Sequence, residues 1–192
     1  MSIVLICGKE LVGVMQLRKH YGPDTLYYVQ HVFPLPYHLT AAWVAAEGVQ
    51  IVNSFNKDVF TWMDAVMENQ ASFGYADTVN KTRTEIITQF GQLAQKTVGI
   101  TAAEFSAAYA NPGLNVAARI SWKYGCSRGV SGTPFFFVNG VLAPADGDWN
   151  LQQWQALLDP LIGDAQFPAK ALLKGAFERH SPLDRVYGAA QS

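Results

Sequence analysis

Hydrophobic spacing changes period several times along this chain, and the order of those changes predicts its layout. Residues 2–6 (SIVLI) form an unbroken, β-branched apolar run, the pattern of a strand covered on both faces. Over residues 9–21, Leu11, Val14, Met15 and Arg18 recur at helical spacing, and Gly22-Pro23-Asp24 is expected to stop that helix. Residues 26–33 (LYYVQHVF) predict a second strand. Two strands joined by one helix make a parallel crossover.

From Thr40 to about Ala118 the period is helical throughout. Ala41, Val44, Ala45 and Gly48 give a small-residue face. Residues 59–73 place Phe60, Met63, Val66 and Met67 on one side, and residues 84–97 repeat the pattern through Ile87, Phe90 and Leu93. Thr101 with Glu104 is a capping box that opens a short helix over Phe105 and Tyr109. Asn111-Pro112-Gly113 ends it, and residues 114–124 form the next helix. Then the period shortens. Phe135 to Val138 (FFFV) is a strand, Asn139-Gly140 a hairpin turn, and Val141-Leu142 its return. Asp148 is expected to cap a last core helix through Leu151, Trp154, Leu157 and Leu158, ending near Gly163. Residues 169–179 are amphipathic and are a candidate homodimer contact.

This order of strand, helix, strand, helical block, hairpin and helix is an α/β sandwich interrupted by a helical insertion. We expect a core of residues 1–38 and 119–163, an insert of 39–118, and a C-terminal extension of 164–192. Composition agrees with a folded domain: 49% of residues are hydrophobic and 15% charged. Net charge is −1 with no basic stripe, so no nucleic-acid partner is expected. No apolar run approaches the ~18 residues of a membrane span. The first apolar run is too short for a signal peptide and no basic segment precedes it, which points to the cytoplasm. A longer natural N-terminus would reopen the secretory route, where the Asn80-Lys81-Thr82 sequon would matter.

Two cysteines, Cys7 and Cys126, stand far apart, and neither has a ligand-spaced partner, so no metal site is expected. His31, within the second strand, and His38, at the start of the insert, are expected to be structural. The chemistry must come from elsewhere.

Val130-Ser131-Gly132-Thr133-Pro134 followed by Phe135-Phe136-Phe137-Val138-Asn139-Gly140 resembles the GV-x-GTP-x-hydrophobic-NG stretch of the DsbA-like branch of the thioredoxin-fold proteins. Phe33-Pro34-Leu35-Pro36-Tyr37-His38 resembles that family's exit from its second strand. Phe60-Thr61-Trp62-Met63 with Gln70 and Phe73 resembles its first insert helix. The resemblance implies a thioredoxin-like fold with a helical insertion between the second and third core strands. It also implies a cis Thr133–Pro134 bond. Ser131, Gly132, Thr133 and Pro134 would then bind an extended polypeptide as an added strand.

The family's activity uses Cys-x-x-Cys at the start of the first helix, and this chain has none. In one register Val4 and Cys7 take the two cysteine positions, and the first strand loses residues. In the other, residues 2–6 remain the strand and Cys7-Gly8-Lys9-Glu10 replaces the motif. The local sequence favours the second. There, a helix N-terminus and Lys9 would lower the Cys7 pKa, against a partial opposition from Glu10. The expected function is a thiol–disulfide oxidoreductase or disulfide-isomerase relative with a degenerate, monothiol site at Cys7. Its substrate would be an extended polypeptide or a small thiol or disulfide. No resident cofactor is expected, and glutathione stays open. The alternatives are a non-catalytic peptide-binding domain and a glutathione-dependent transferase or isomerase of the same architecture. The latter usually carry a serine at the first cysteine position, and neither register supplies one.

Overall fold

The computed structural model describes residues 1–6 and 12–162. Cys7, residues 9–11 of the first expected helix, the helix end near Gly163 and the 169–179 segment lie outside them.

Four strands, β1 (Ser2–Ile6), β2 (Tyr27–His31), β3 (Phe135–Val138) and β4 (Val141–Leu142), form one sheet in the order β2-β1-β3-β4. β1 runs parallel to β2 and antiparallel to β3, with Ile6 opposite His31 on one side and Phe135 on the other. The parallel pair continues back to Met1, whose carbonyl accepts the Tyr27 N–H at 2.8 Å. β3 returns through Asn139 (φ 49°) and Gly140 (φ 82°). Two successive positive φ angles are what a tight two-residue hairpin requires, and Asn-Gly tolerates them best.

One sheet face is covered by α1 (Val12–Thr25) and α8 (Leu151–Ile162). Val14, Leu17, Leu26, Phe136, Val138, Trp154 and Leu158 are buried between them. Tyr21 donates to the Asp159 carboxylate, and His20 meets Gln155 at 3.0 Å, so α1 and α8 are also joined at their polar edges. Burial, and then this bond to Asp159, push the Tyr21 phenol well above its ordinary range. Gly13 is required at its position, because a Cβ there would stand 1.8 Å from the Trp149 carbonyl oxygen.

Between β2 and β3 the chain builds a second core. Its helices are α2 (Leu39–Ser54), α3 (Val59–Glu68), α4 (Tyr75–Thr78), α5 (Arg83–Thr97), α6 (Ala102–Ala108) and α7 (Pro112–Ser127). Trp62, Phe90 and Phe105 are fully buried at its centre, with the Trp62 ring 5.1 Å from Phe105 and 5.9 Å from Phe90. The small-residue face of α2 lies against them. A Cβ on Gly48 would come within 2.7 Å of the Trp62 ring. The buried Glu47 carboxylate accepts from Trp43 Nε1 at 3.0 Å, from Arg83 at 2.7 Å and from Asn115. These three donors, the Arg83 guanidinium among them, satisfy oxygens that burial would otherwise leave unpaired.

Several elements differ from expectation. The helix expected over residues 59–73 ends at Glu68, and Gln70–Phe73 form a separate 3-10 turn after Asn69. β2 stops at His31 instead of Phe33, because Val32 to Leu35 turn away to line a cavity and Pro34 and Pro36 have no N–H to give a sheet. Gly22 breaks α1 with φ 67°, yet a further helical turn runs to Thr25 beyond it. α7 starts at Pro112 with Asn111 as its cap, and it runs on to Ser127. Proline fits the first turn, where its missing N–H costs nothing. Asp148 does not cap α8. Asn150 and Gln153 cap it reciprocally, each side chain accepting the other's backbone N–H at 3.0 Å.

Candidate functional site

The loop between α7 and β3 is set by how α7 ends. Gly129 adopts φ 75°, its N–H donates to the Cys126 carbonyl at 3.0 Å, and the Val130 N–H reaches back to Gly125 at 3.1 Å. This pair of bonds is a Schellman ending, with Val130 tucked in as its apolar anchor. Val130 is buried with Phe137 against Phe33 and Phe135. Arg128 donates to the Gly140 carbonyl, and its guanidinium lies 5.1 Å from the centre of the Phe137 ring. The loop is thereby held between helix and hairpin.

Ser131 is exposed, while Gly132, Thr133 and Pro134 are half-buried. Nothing stands within 4 Å of a Cβ built on Gly132. The Thr133–Pro134 peptide bond is cis. Pro134 precedes Phe135, the partner of Ile6, so this loop leaves the sheet at the end where β1 also ends.

β2 leaves the sheet beside the same loop. Its last residues are fixed by α7: the His31 ring stacks on Tyr124 at 4.7 Å with Nδ1 3.2 Å from the Ser121 hydroxyl, and Phe33 stacks on Trp122 at 6.4 Å. Burial lowers the His31 pKa, so the ring sits here as a neutral packing group. The following residues, Val32 to Leu35, form one wall of a cavity of about 230 Å³. α2, α3, the turn at Gln70–Phe73 and Phe90 of α5 supply the other walls, and Thr133 closes one side. Phe73 stacks face to face on Phe90 at 3.9 Å, which stiffens the floor.

No protein-family model matches the sequence, and no curated protein sequence matches it. Solved structures do. A candidate protein-disulfide isomerase of Pseudomonas syringae superposes with a TM-score of 0.67 at 17% identity, over 81% of this chain and 91% of that one. BdbD of Bacillus subtilis, in its oxidised form, superposes with a TM-score of 0.60 at 12% identity, over 84% and 86% of the two chains. The oxidoreductase NmDsbA1 of Neisseria meningitidis gives 0.51 at 15% identity, over 83% and 82%. The chain has a DsbA-like thioredoxin fold.

Within this DsbA-like fold, Ser131 to Pro134 form one continuous loop at the end of the sheet, and Thr133 also faces the cavity. Cys7 follows β1 directly in sequence but lies outside the described residues. Cys126 is a free, exposed thiol near the end of α7. His38, half-buried at the start of the insert, lines the cavity. Among the described residues no cluster of His, Cys, Asp and Glu could hold a metal ion, and no helix is long and apolar enough to cross a membrane. The cavity itself was absent from the sequence reading. Six separate segments contribute to it, and only the paired prolines at 34 and 36 hinted that the chain leaves the sheet there.

Proposed function

We propose that this chain acts as a thioredoxin-fold thiol–disulfide exchange protein with one working thiol, Cys7, beside a polypeptide-binding loop at Ser131 to Pro134. One observation carries the reading. Ile6, one bond from Cys7, pairs in the sheet with Phe135, one bond from Pro134. Strand register therefore brings the end of β1 to the loop that the DsbA-like resemblance assigns to substrate. The open space over Gly132 and the exposure of Ser131 leave room for an extended chain to lie along it.

In the first step the Cys7 thiolate attacks one sulfur of a substrate disulfide. A new S–S bond forms, the old one breaks, and the departing thiolate takes a proton from water. No second cysteine is at resolving distance in sequence, so release needs an external thiol such as glutathione. Its thiolate attacks the substrate sulfur of the mixed disulfide: the Cys7–substrate S–S bond breaks, an S–S bond between the external thiol and the substrate forms, and Cys7 departs as its thiolate. The site is thus a degenerate one that exchanges disulfides without a Cys-x-x-Cys pair, and it holds no resident cofactor.

The test is the alkylation rate of Cys7 against pH in a Cys126→Ala background, since Cys126 is itself exposed and would react. A plateau reached well below the ordinary thiol pKa of ~8.5 is expected. A thiol that reacts only at high pH or after denaturation would overturn the exchange reading and leave a peptide-binding domain.

A further inference from the structure

The roles proposed for Cys7 and the 131–134 loop leave the cavity between the β2 exit and the helical core unassigned. We propose that it binds one small, uncharged, mostly apolar molecule that carries a single hydrogen-bonding group, with the chemistry of a substituted phenol. Its volume of about 230 Å³ exceeds the ~150 Å³ of an engineered apolar cavity that accepts benzene. Trp62, Phe73 and Phe90 give flat aromatic walls, and Met63 and Met67 add side chains that adapt to a guest's outline. Among the described residues no carboxylate, lysine or arginine lines the space, so there a charged guest would lose its hydration without compensation.

A few polar groups at the edge of an apolar pocket are what orients a small ligand. Here those groups are His38, Gln70 and Thr133, and their side chains make no hydrogen bond with any described residue. They are available to one hydroxyl or carbonyl. Thr133 belongs both to this cavity and to the loop assigned to substrate, so a guest would sit next to the exchange site without depending on its chemistry.

The probe is p-cresol, titrated by calorimetry into the full-length protein, with toluene as the partner lacking the hydroxyl. We expect saturable one-to-one binding of p-cresol, and toluene about three- to tenfold weaker for want of one hydrogen bond. Ala42→Phe, which fills the space from α2, should weaken p-cresol at least tenfold. If that variant is unfolded by circular dichroism, Ala45→Leu replaces it. Absence of saturable binding at millimolar probe overturns the proposal, as does binding that neither filled variant weakens. Competitive displacement of p-cresol by an extended leucine-containing peptide also overturns it, because the cavity would then belong to the polypeptide site. All three failures leave the pH profile of Cys7 alkylation unchanged, so they are distinct from failure of the exchange reading.

Discussion

The molecule has two cores built by different means. The helical core around Trp62 is built from one continuous stretch of chain, with side-chain caps that start α3, α5, α6 and α7 locally: Thr82 and Thr101 each form a reciprocal box with a glutamate three residues on. The sheet core around Trp154 joins segments from the two ends of the described chain. α1 meets α8 there, and β1 meets β3. Local signals therefore start most helices of one half, while the other depends on closure across the longest separations in the described chain. The cavity lies on the helical side of the seam between them, so the half of the chain with the more local code also holds the space for a ligand.

The sharpest way to separate the two cores is to remove their central tryptophans one at a time. Trp62→Ala and Trp154→Ala should each cost about 3–5 kcal/mol, the usual loss for a large buried ring. Hydrogen exchange should show Trp62→Ala loosening α2, α3 and α5 first, and Trp154→Ala loosening α1, α8 and β3 first. Equal loss of protection in both halves would show that the cores open together.

A smaller effect is expected at the two glycines that admit those tryptophans or their neighbours. Gly13→Ala and Gly48→Ala both overpack, at a typical cost of about 1–3 kcal/mol. Gly13 should be the worse, because its obstacle is a backbone carbonyl rather than a ring edge that can tilt. Urea denaturation of the two variants checks the order.

The smallest effects concern the caps. Asn150→Ala should lose about 1 kcal/mol, placing a local signal in the sheet half too. In the helical half, the Glu85 and Glu104 carboxyls are held below the usual carboxylate range by hydrogen bonds from Thr82 and Thr101 respectively. A carboxylate whose folded pKa is depressed stabilises above its unfolded pKa, and that contribution fades as pH falls through the folded one. The melting difference between wild type and Glu85→Gln should therefore shrink on acidification below the ordinary glutamate range. A constant difference would mean that the charge has no role in the cap.

Much of this was legible in the chain itself. SIVLI, FFFV and Asn139-Gly140 read directly as strands and turn, and Thr101-x-x-Glu104 as a helix start, because each signal is complete within a few residues. Thr82-x-x-Glu85 has the same form and was passed over in favour of Thr84 as the start of its helix. The cap at Asn150 was missed because Asp148 is an equally good cap by type, and only the turn geometry chooses between them. The end of β2 was misplaced because Val32 and Phe33 are as apolar as the strand before them. Their burial faces a cavity and a neighbouring helix, not a sheet partner. Loop residues 131–134 were recognisable through resemblance, but the space behind Thr133 depends on helices roughly 40 to 90 positions away.

One feature of the sheet also bears on the life of the chain during synthesis. β1 lies in the middle of the sheet, yet its antiparallel neighbour β3 is encoded more than half the chain later. Loop closure over so long a segment must be met before that pairing can reward it. On the ribosome, the first strand and β2 emerge and then wait, one long edge unpaired, while the whole helical core is made. That core can be complete before the hairpin arrives. The Thr133 loop is encoded directly before that hairpin, so it and the closed sheet come into being together, and α8 follows to cover them.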